Sequence, residues 1–482
     1  MIYDLKSMRL PAATAYRQPS GNGASAASST GYSPLPSFFS RANLSASNGS
    51  DEPAFDAYDK HYRRQASSGL FSMPPGWTWA RLLRWTVGLA ALIAFIFWWF
   101  FELHIEIALY SRGWVRSAIV DLHPLSSNCF TLANVQGSAY NQTIASAPKY
   151  HELQAGLAMR YGSDCYDFAG TIASEPLPGQ ILPEQTIYHT YWRGDLRPLG
   201  ERQILLLLSI LETQSQDHST LILWSNTPQT FESSLLTPLM RKYSHRLDTR
   251  VIDHESLARG TPMQGSSLLG EAKDAKAWLD GDLVRVLVLY RFGGVWVDMD
   301  MLMTRDLRPL LESEWVTQWD CYEKPYQPLN GAVMHFLQQS PYLCEMLHIM
   351  ANDVPPRAAS TDWGSLMYHK LWRRLVANNH RPFKILPFCF TDGRSCRLDN
   401  RLPDPFASDP PYTDSQWTEL ARRLDRVFGV HLHNHLTGGA RVDVNAFANR
   451  LQEPSHAIQV CTPEEWACVN VHDARRVKST EI

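Results

Sequence analysis

Residues 291–302 read RFGGVWVDMDML: a Gly293-Gly294 pair, an apolar run Val295-Trp296-Val297, then Asp298 and Asp300 one residue apart. Side chains alternate in an extended segment, so both aspartates are expected on one face, with Val297, Met299 and Met301 on the other. Two oxygen ligands at the mouth of a buried strand suit a hard divalent cation and the diphosphate it bridges. An Asp-x-Asp alone is as readily a pair of solvated loop charges, so the flanking sequence must carry the reading.

Upstream, Leu283, Val286, Leu287 and Tyr290 recur at helical spacing, with Asp282 where an N-cap belongs and Arg285 one turn on. Read on their own, these are a cap and a surface charge. The whole block DLVRVLVLYRFGGVWVDMD (282–300) resembles the sugar-binding region of glycosyltransferase family 32. That resemblance implies a GT-A type nucleotide-sugar-binding domain, with Asp282 and Arg285 holding donor sugar hydroxyls. It also implies that Asp298 and Asp300 hold the ribose and a metal-bound diphosphate, so these four are the expected catalytic residues. Asp280 and Asp282 also spell Asp-x-Asp, but before a helix, and are read as incidental.

Other blocks resemble the family more loosely. His189-Thr190-Tyr191-Trp192 stands at the family's opening strand, which implies His189 and Trp192 at the nucleotide; core packing is the competing reading. Asn330-Gly331 and Gly294 are expected to line the donor pocket, glycine permitting close approach. In FGVHLHNHLTGGAR, His431 and His433 share one face of a strand. His431 and Asn434 match family positions near the diphosphate, and His431 is the third expected metal ligand. His433 stands where the family has tryptophan, and a separate histidine-rich metal site remains the alternative. Thr361–Ser365 occupies the place of a family Gly-Pro stretch without its proline, with Asp362 near the acceptor.

Helices alternating with short buried strands (187–192, 221–224, the end of 242–252, 316–322) mean an α/β domain with a mainly parallel sheet, whose ligands gather beyond the strand C-termini. We expect this domain over 183–450, behind a stem at 104–182 with a helix at 149–161, and before a Cys-flanked extension at 451–482. Residues 1–80 are rich in Ser, Ala, Gly, Asn and Pro, and are expected to be a disordered tail. Residues 85–101 read WTVGLAALIAFIFWWFF without a charge, so 81–103 is expected to be a single transmembrane anchor.

All eight cysteines follow that anchor, which suits disulfides in an oxidising lumen; Cys389–Cys396 and Cys461–Cys468 are the cheapest pairs to guess. Asn141-Gln142-Thr143 is an N-glycosylation acceptor usable on that side. With 482 residues, a formal charge of −3 and no basic block, nucleic acid is excluded as the main partner. The expectation is a single-pass type II Golgi membrane protein, with the endoplasmic reticulum as the other compartment. It would use Mn²⁺ or Mg²⁺ to move a hexose or N-acetylhexosamine, with retention, from a UDP-sugar or GDP-mannose to a glycan, glycoprotein or glycolipid. A non-catalytic lumenal binder of glycan or sugar nucleotide is the alternative. A metal-dependent phosphodiesterase would need more His and Asp ligands than can be assembled.

Overall fold

The computed structural model describes residues 78–101, 109, 111–115, 124–126, 128–154, 159, 163–271, 274–319, 327–393, 401–403, 412–433, 460–461 and 468–469. Residues 1–77 of the expected disordered tail, Asn434, Cys321 and Cys396 lie outside them, and residues 79–80 of that stretch are helical. The chain divides into two units, residues 1–107 and 108–482. What is described of the first is one helix, Trp79–Phe100, with no buried residue; it is long and apolar enough to cross a membrane. Its 22 residues rise about 33 Å, and the Thr78 hydroxyl caps it by accepting from the Arg81 N–H.

The second unit is built on a seven-stranded sheet. Its strands are β1 (Thr186–Trp192), β2 (Ser219–Ser225), β3 (Leu247–Val251), β4 (Gly294–Val297), β6 (Trp315–Gln318), β7 (Leu329–Phe336) and β8 (Lys384–Leu386). Their order is β3-β2-β1-β4-β7-β6-β8. β3, β2, β1 and β4 run parallel, as do β6 and β8, while β7 is antiparallel to both β4 and β6. A separate ribbon pairs β5 (Met301–Met303) with β9 (Gly429–His431), antiparallel.

Inside the edge strand β3 the sheet is buried on both faces, as parallel strands with helical crossovers require. Val295 and Val297 join Leu221, Leu223 and the helix Glu201–Thr213 on one side. Trp296, one residue out of phase, joins Trp224, Met334 and the helices Leu279–Phe292, Pro341–Asn352 and Ser365–Ala377 on the other. Glycine is required where the helix Leu279–Phe292 turns into β4. Gly293 and Gly294 take φ of +66° and +98°. A Cβ there would lie 2.5 Å from the Gln338 nitrogen and 2.1 Å from the Ile187 carbonyl oxygen, so the pair lets the chain reverse directly onto β1.

The structure corrects three expectations. Residues 149–154 are not helical, because the Tyr150 and His151 N–H groups donate to the buried Glu312 carboxylate. Cys389 bonds Cys165, not Cys396, and Cys129 bonds Cys344. Both bonds tie residues expected in a stem to the α/β core. Cys461 and Cys468 face each other across a short antiparallel backbone pairing. Finally, Asp282 is not the N-cap: its N–H already donates to the Trp278 carbonyl inside the helix. The carboxylate of Asp274 meets the end N–H groups of Trp278 and Leu279.

Candidate functional site

β4 stops at Val297, and residues 298–300 form a turn closed by the Met301 N–H donating to the Asp298 carbonyl at 3.0 Å. The two aspartates therefore converge through a turn, not through strand alternation as expected. The ribbon supplies the third group. Met301 pairs with His431, and the Leu432 N–H donates to the Asp300 carbonyl at 2.9 Å. One ligand atom from each of Asp298, Asp300 and His431 then falls within 4.8 Å of the others. His431 Nε2 lies 3.3 Å from Asp300 Oδ1.

Behind them the helix Leu279–Phe292 turns its first charged residues inward. Asp282 and Arg285 are both 7% exposed. The Arg285 guanidinium donates to Asp282 Oδ1 at 2.6 Å, to Asp298 Oδ1 at 2.7 Å and to the Tyr368 hydroxyl at 2.9 Å. The Trp296 indole N–H donates to the same Asp298 oxygen at 2.6 Å, and Arg285 sits 5.3 Å from that indole ring. Gly331 and Gly364 make this packing feasible. A Cβ on Gly331 would meet Arg285 Nη1 at 2.3 Å, and one on Gly364 would meet Asp282 Oδ2 at 2.8 Å.

Electrostatically the corner is short of positive charge. Burial pushes the Asp282 carboxyl up to about 7, opposed by Arg285 and reinforced by Asp298. Asp298, with 27% of its side chain exposed, is also pushed up, chiefly by lost hydration, with Arg285 opposing and Asp300 adding. Burial works against the Arg285 charge, but Asp298, Tyr368 and Asp282 outweigh it. His431 is likewise held well above its ordinary value, Asp300 and Asp392 overcoming its burial. Two carboxylates and an imidazole at this spacing form a donor set that Mn²⁺ or Mg²⁺ accepts. The residues present thus fit a divalent cation.

Other expected residues fall differently. Asn330 is in the cluster, its Nδ2 3.1 Å from His431 Nδ1 and its Oδ1 accepting from the Ala332 N–H at 2.9 Å. His189 is not. It is 0% exposed, with Nε2 on the Gly293 carbonyl at 3.0 Å and Nδ1 receiving the Trp224 indole N–H at 3.2 Å. Burial pushes it down to about 3, so it is a neutral core histidine. Trp192 donates to the Arg197 carbonyl at 2.7 Å and packs on the core, and Gly294 is spent on the approach to β1. Asp362 is held by Arg357 at 2.8 Å within its own loop. Asp280 is buried and takes Arg193 at 2.8 Å and the Tyr191 hydroxyl at 3.1 Å.

Three participants were not foreseen: Tyr368, the Trp296 indole N–H and Asp392. Trp296 lies inside the quoted motif, and its N–H two residues before Asp298 was a usable signal. Tyr368 and Asp392 are brought in by tertiary packing from segments without a motif.

Residues 201–317 match the family model described as "Glycosyltransferase sugar-binding region containing DXD motif". No curated protein matches the chain. Among solved structures it is similar to the PaToxG glycosyltransferase (14% identity, TM-score 0.31, covering 45% of this chain and 75% of that one). It is also similar to mouse xyloside xylosyltransferase 1 in its apo form (13%, 0.28, 43% and 86%) and to an active-site mutant of LgtC (11%, 0.30, 55% and 94%). Residues 201–317 are thus similar to a glycosyltransferase sugar-binding region, and Asp298-Met299-Asp300 is an Asp-x-Asp within them.

Proposed function

We propose that this protein is a metal-dependent, retaining glycosyltransferase that moves a hexose or N-acetylhexosamine from a nucleotide-sugar to a glycan, glycoprotein or glycolipid. The observation that carries the reading is the convergence of Asp298, Asp300 and His431 within 4.8 Å, directly beside the Asp282–Arg285 pair. Asp298, Asp300 and His431 would hold Mn²⁺ or Mg²⁺, which when bound supplies the positive charge that a departing nucleoside diphosphate needs.

The chain's own residues do the rest. Arg285 bridges Asp282 and Asp298, fixing the distance between the sugar side and the diphosphate side of the pocket. Asp282, one oxygen on Arg285, offers the other to a donor hydroxyl. Asn330 and Gly331 lie beside this pair and let a sugar ring approach the backbone. Burial of Asp282, Arg285, Asp300 and His431 keeps water out and strengthens each charge–dipole contact. Among the described residues no carboxylate is placed as an evident covalent nucleophile, so we favour displacement on one face, with the leaving phosphate accepting the acceptor's proton.

A Golgi setting with this unit in the lumen agrees with the apolar helix Trp79–Phe100, two disulfides and an exposed Asn141. Asn141 caps a short helix through Oδ1, which accepts from the Ile144 N–H at 3.1 Å, so a glycan on Nδ2 preserves the cap. The test is nucleotide release by the full chain in detergent from UDP-galactose, UDP-N-acetylglucosamine and GDP-mannose, with Mn²⁺ or with chelator. Mn²⁺-dependent release from one donor is expected. No release from any donor would favour a binding protein that keeps the fold.

A further inference from the structure

Asp392 belongs to no motif quoted above and lies beyond the matched region, yet it is 0% exposed and faces the cation cluster. It is placed by the turn Phe388–Phe390, which the Cys165–Cys389 bond anchors. The His431 N–H donates to the Thr391 carbonyl at 3.0 Å and the Phe428 N–H to the Phe390 carbonyl at 2.8 Å, clamping this segment along β9. One carboxylate oxygen of Asp392 lies 2.5 Å from His433 Nε2 and 3.6 Å from His431 Nδ1. The other accepts from the Asn330 amide at 3.2 Å, and that same Nδ2 is 3.1 Å from His431 Nδ1.

We propose that Asp392 is a positioning residue of the cation site, its carboxylate facing His431 Nδ1 and orienting the ring with Nε2 toward the ion, while the Asn330 amide and His433 hold the carboxylate in place. This rests on the reading that Asp298, Asp300 and His431 bind a divalent ion. A histidine that ligates through Nε2 carries its proton on Nδ1 and needs an acceptor on that side, and the Asp392 carboxylate is the acceptor there.

The rival reading is a second cation held by Asp392, His431 and His433, whose ligand atoms also fall within 4.8 Å. Against it, the Asn330 amide already occupies the Nδ1 side of His431, the side facing Asp392. His433 also packs against His431, ring centroids 4.0 Å apart and planes tilted by 33°, which suits a support better than a separate ligand.

The experiment is Mn²⁺ binding by electron paramagnetic resonance on the full chain in detergent. One ion per chain is expected for the wild type. Asp392→Asn is expected to weaken binding about 10- to 100-fold, and His433→Gln by no more than about threefold. If Asp392→Asn does not fold, Asp392→Glu decides: displacement by one methylene is expected to cost roughly 3- to 10-fold. Unchanged affinity in the folded Asp392 variant overturns this proposal alone. So does a wild type binding two ions of which the Asp392 variant loses one, or His433→Gln matching the loss at Asp392. A wild type that binds no Mn²⁺ overturns both this proposal and the metal reading of the site.

Discussion

The acidic corner and the region where residues 124–154 are tied on both bury carboxylates, but under opposite rules. At the second region Glu312 is met by the Tyr150 and His151 N–H groups. Glu314 there receives the Tyr140 hydroxyl at 2.7 Å and the Leu337 N–H at 3.1 Å, and Glu345 receives the Ser126 N–H. Each carboxylate has fixed donors of its own. At the corner Asp282 and Asp298 share one guanidinium, while Asp300 and Asp392 share one imidazole. Carboxylates satisfied by neutral N–H and O–H groups hold segments together, whereas carboxylates turned on one another leave a deficit of positive charge that a cation could offset.

Substitutions should separate the two regions. The largest effect is expected from Asp300→Asn, which should reduce Mn²⁺-dependent nucleotide release by about 10²- to 10³-fold. It should leave the urea midpoint unchanged or raised, because one of the crowded charges is gone. A fully active Asp300→Asn variant would erase the distinction drawn here. Next, replacing Cys165 and Cys389 together with alanine is expected to cost about 2–4 kcal/mol in urea unfolding. It should also weaken Mn²⁺ binding, since that bond anchors the segment bearing Asp392; a stability loss with untouched metal affinity would show the two to be independent.

Glu312→Ala should do the reverse of Asp300→Asn. It strands the N–H groups of Tyr150 and His151, costing about 2 kcal/mol in urea unfolding with Mn²⁺ affinity unchanged. The smallest effect concerns His335, next to this region, whose Nδ1 is 2.8 Å from the Ser313 carbonyl. Burial pushes it down to about 4, below its unfolded value of about 6.5. Between those values the unfolded chain binds the extra proton. Its stability contribution is therefore complete above about pH 6.5 and is lost as pH falls towards 4, by at most about 1.4 kcal/mol per unit. His335→Gln should flatten that part of the pH–stability curve; an unaltered slope would place the acid sensitivity elsewhere.

What the sequence disclosed follows the same division. β1, β2 and β4 were legible because a strand buried on both faces must be a short apolar run bounded by turn residues. Asp282, Arg285, Asp298 and Asp300 were legible because they are near neighbours in the chain on adjoining elements. The turn at 298–300 was missed because alternation was carried past Val297, the last strand residue, as far as Met301. His189 was misplaced for a different reason. A strand histidine facing a pocket and one facing a tryptophan look alike until Trp224 and Gly293 are found around it. Asp392, Tyr368 and the pairing of Cys165 with Cys389 depend on contacts between residues far apart in the chain, for which local pattern holds no record.

The most direct test is anomalous diffraction from a crystal of the full chain soaked with Mn²⁺. The expected result is one peak in contact with carboxylate oxygens of Asp298 and Asp300 and with His431 Nε2. An empty corner, or a peak seated between Asp392 and His433, would contradict the account.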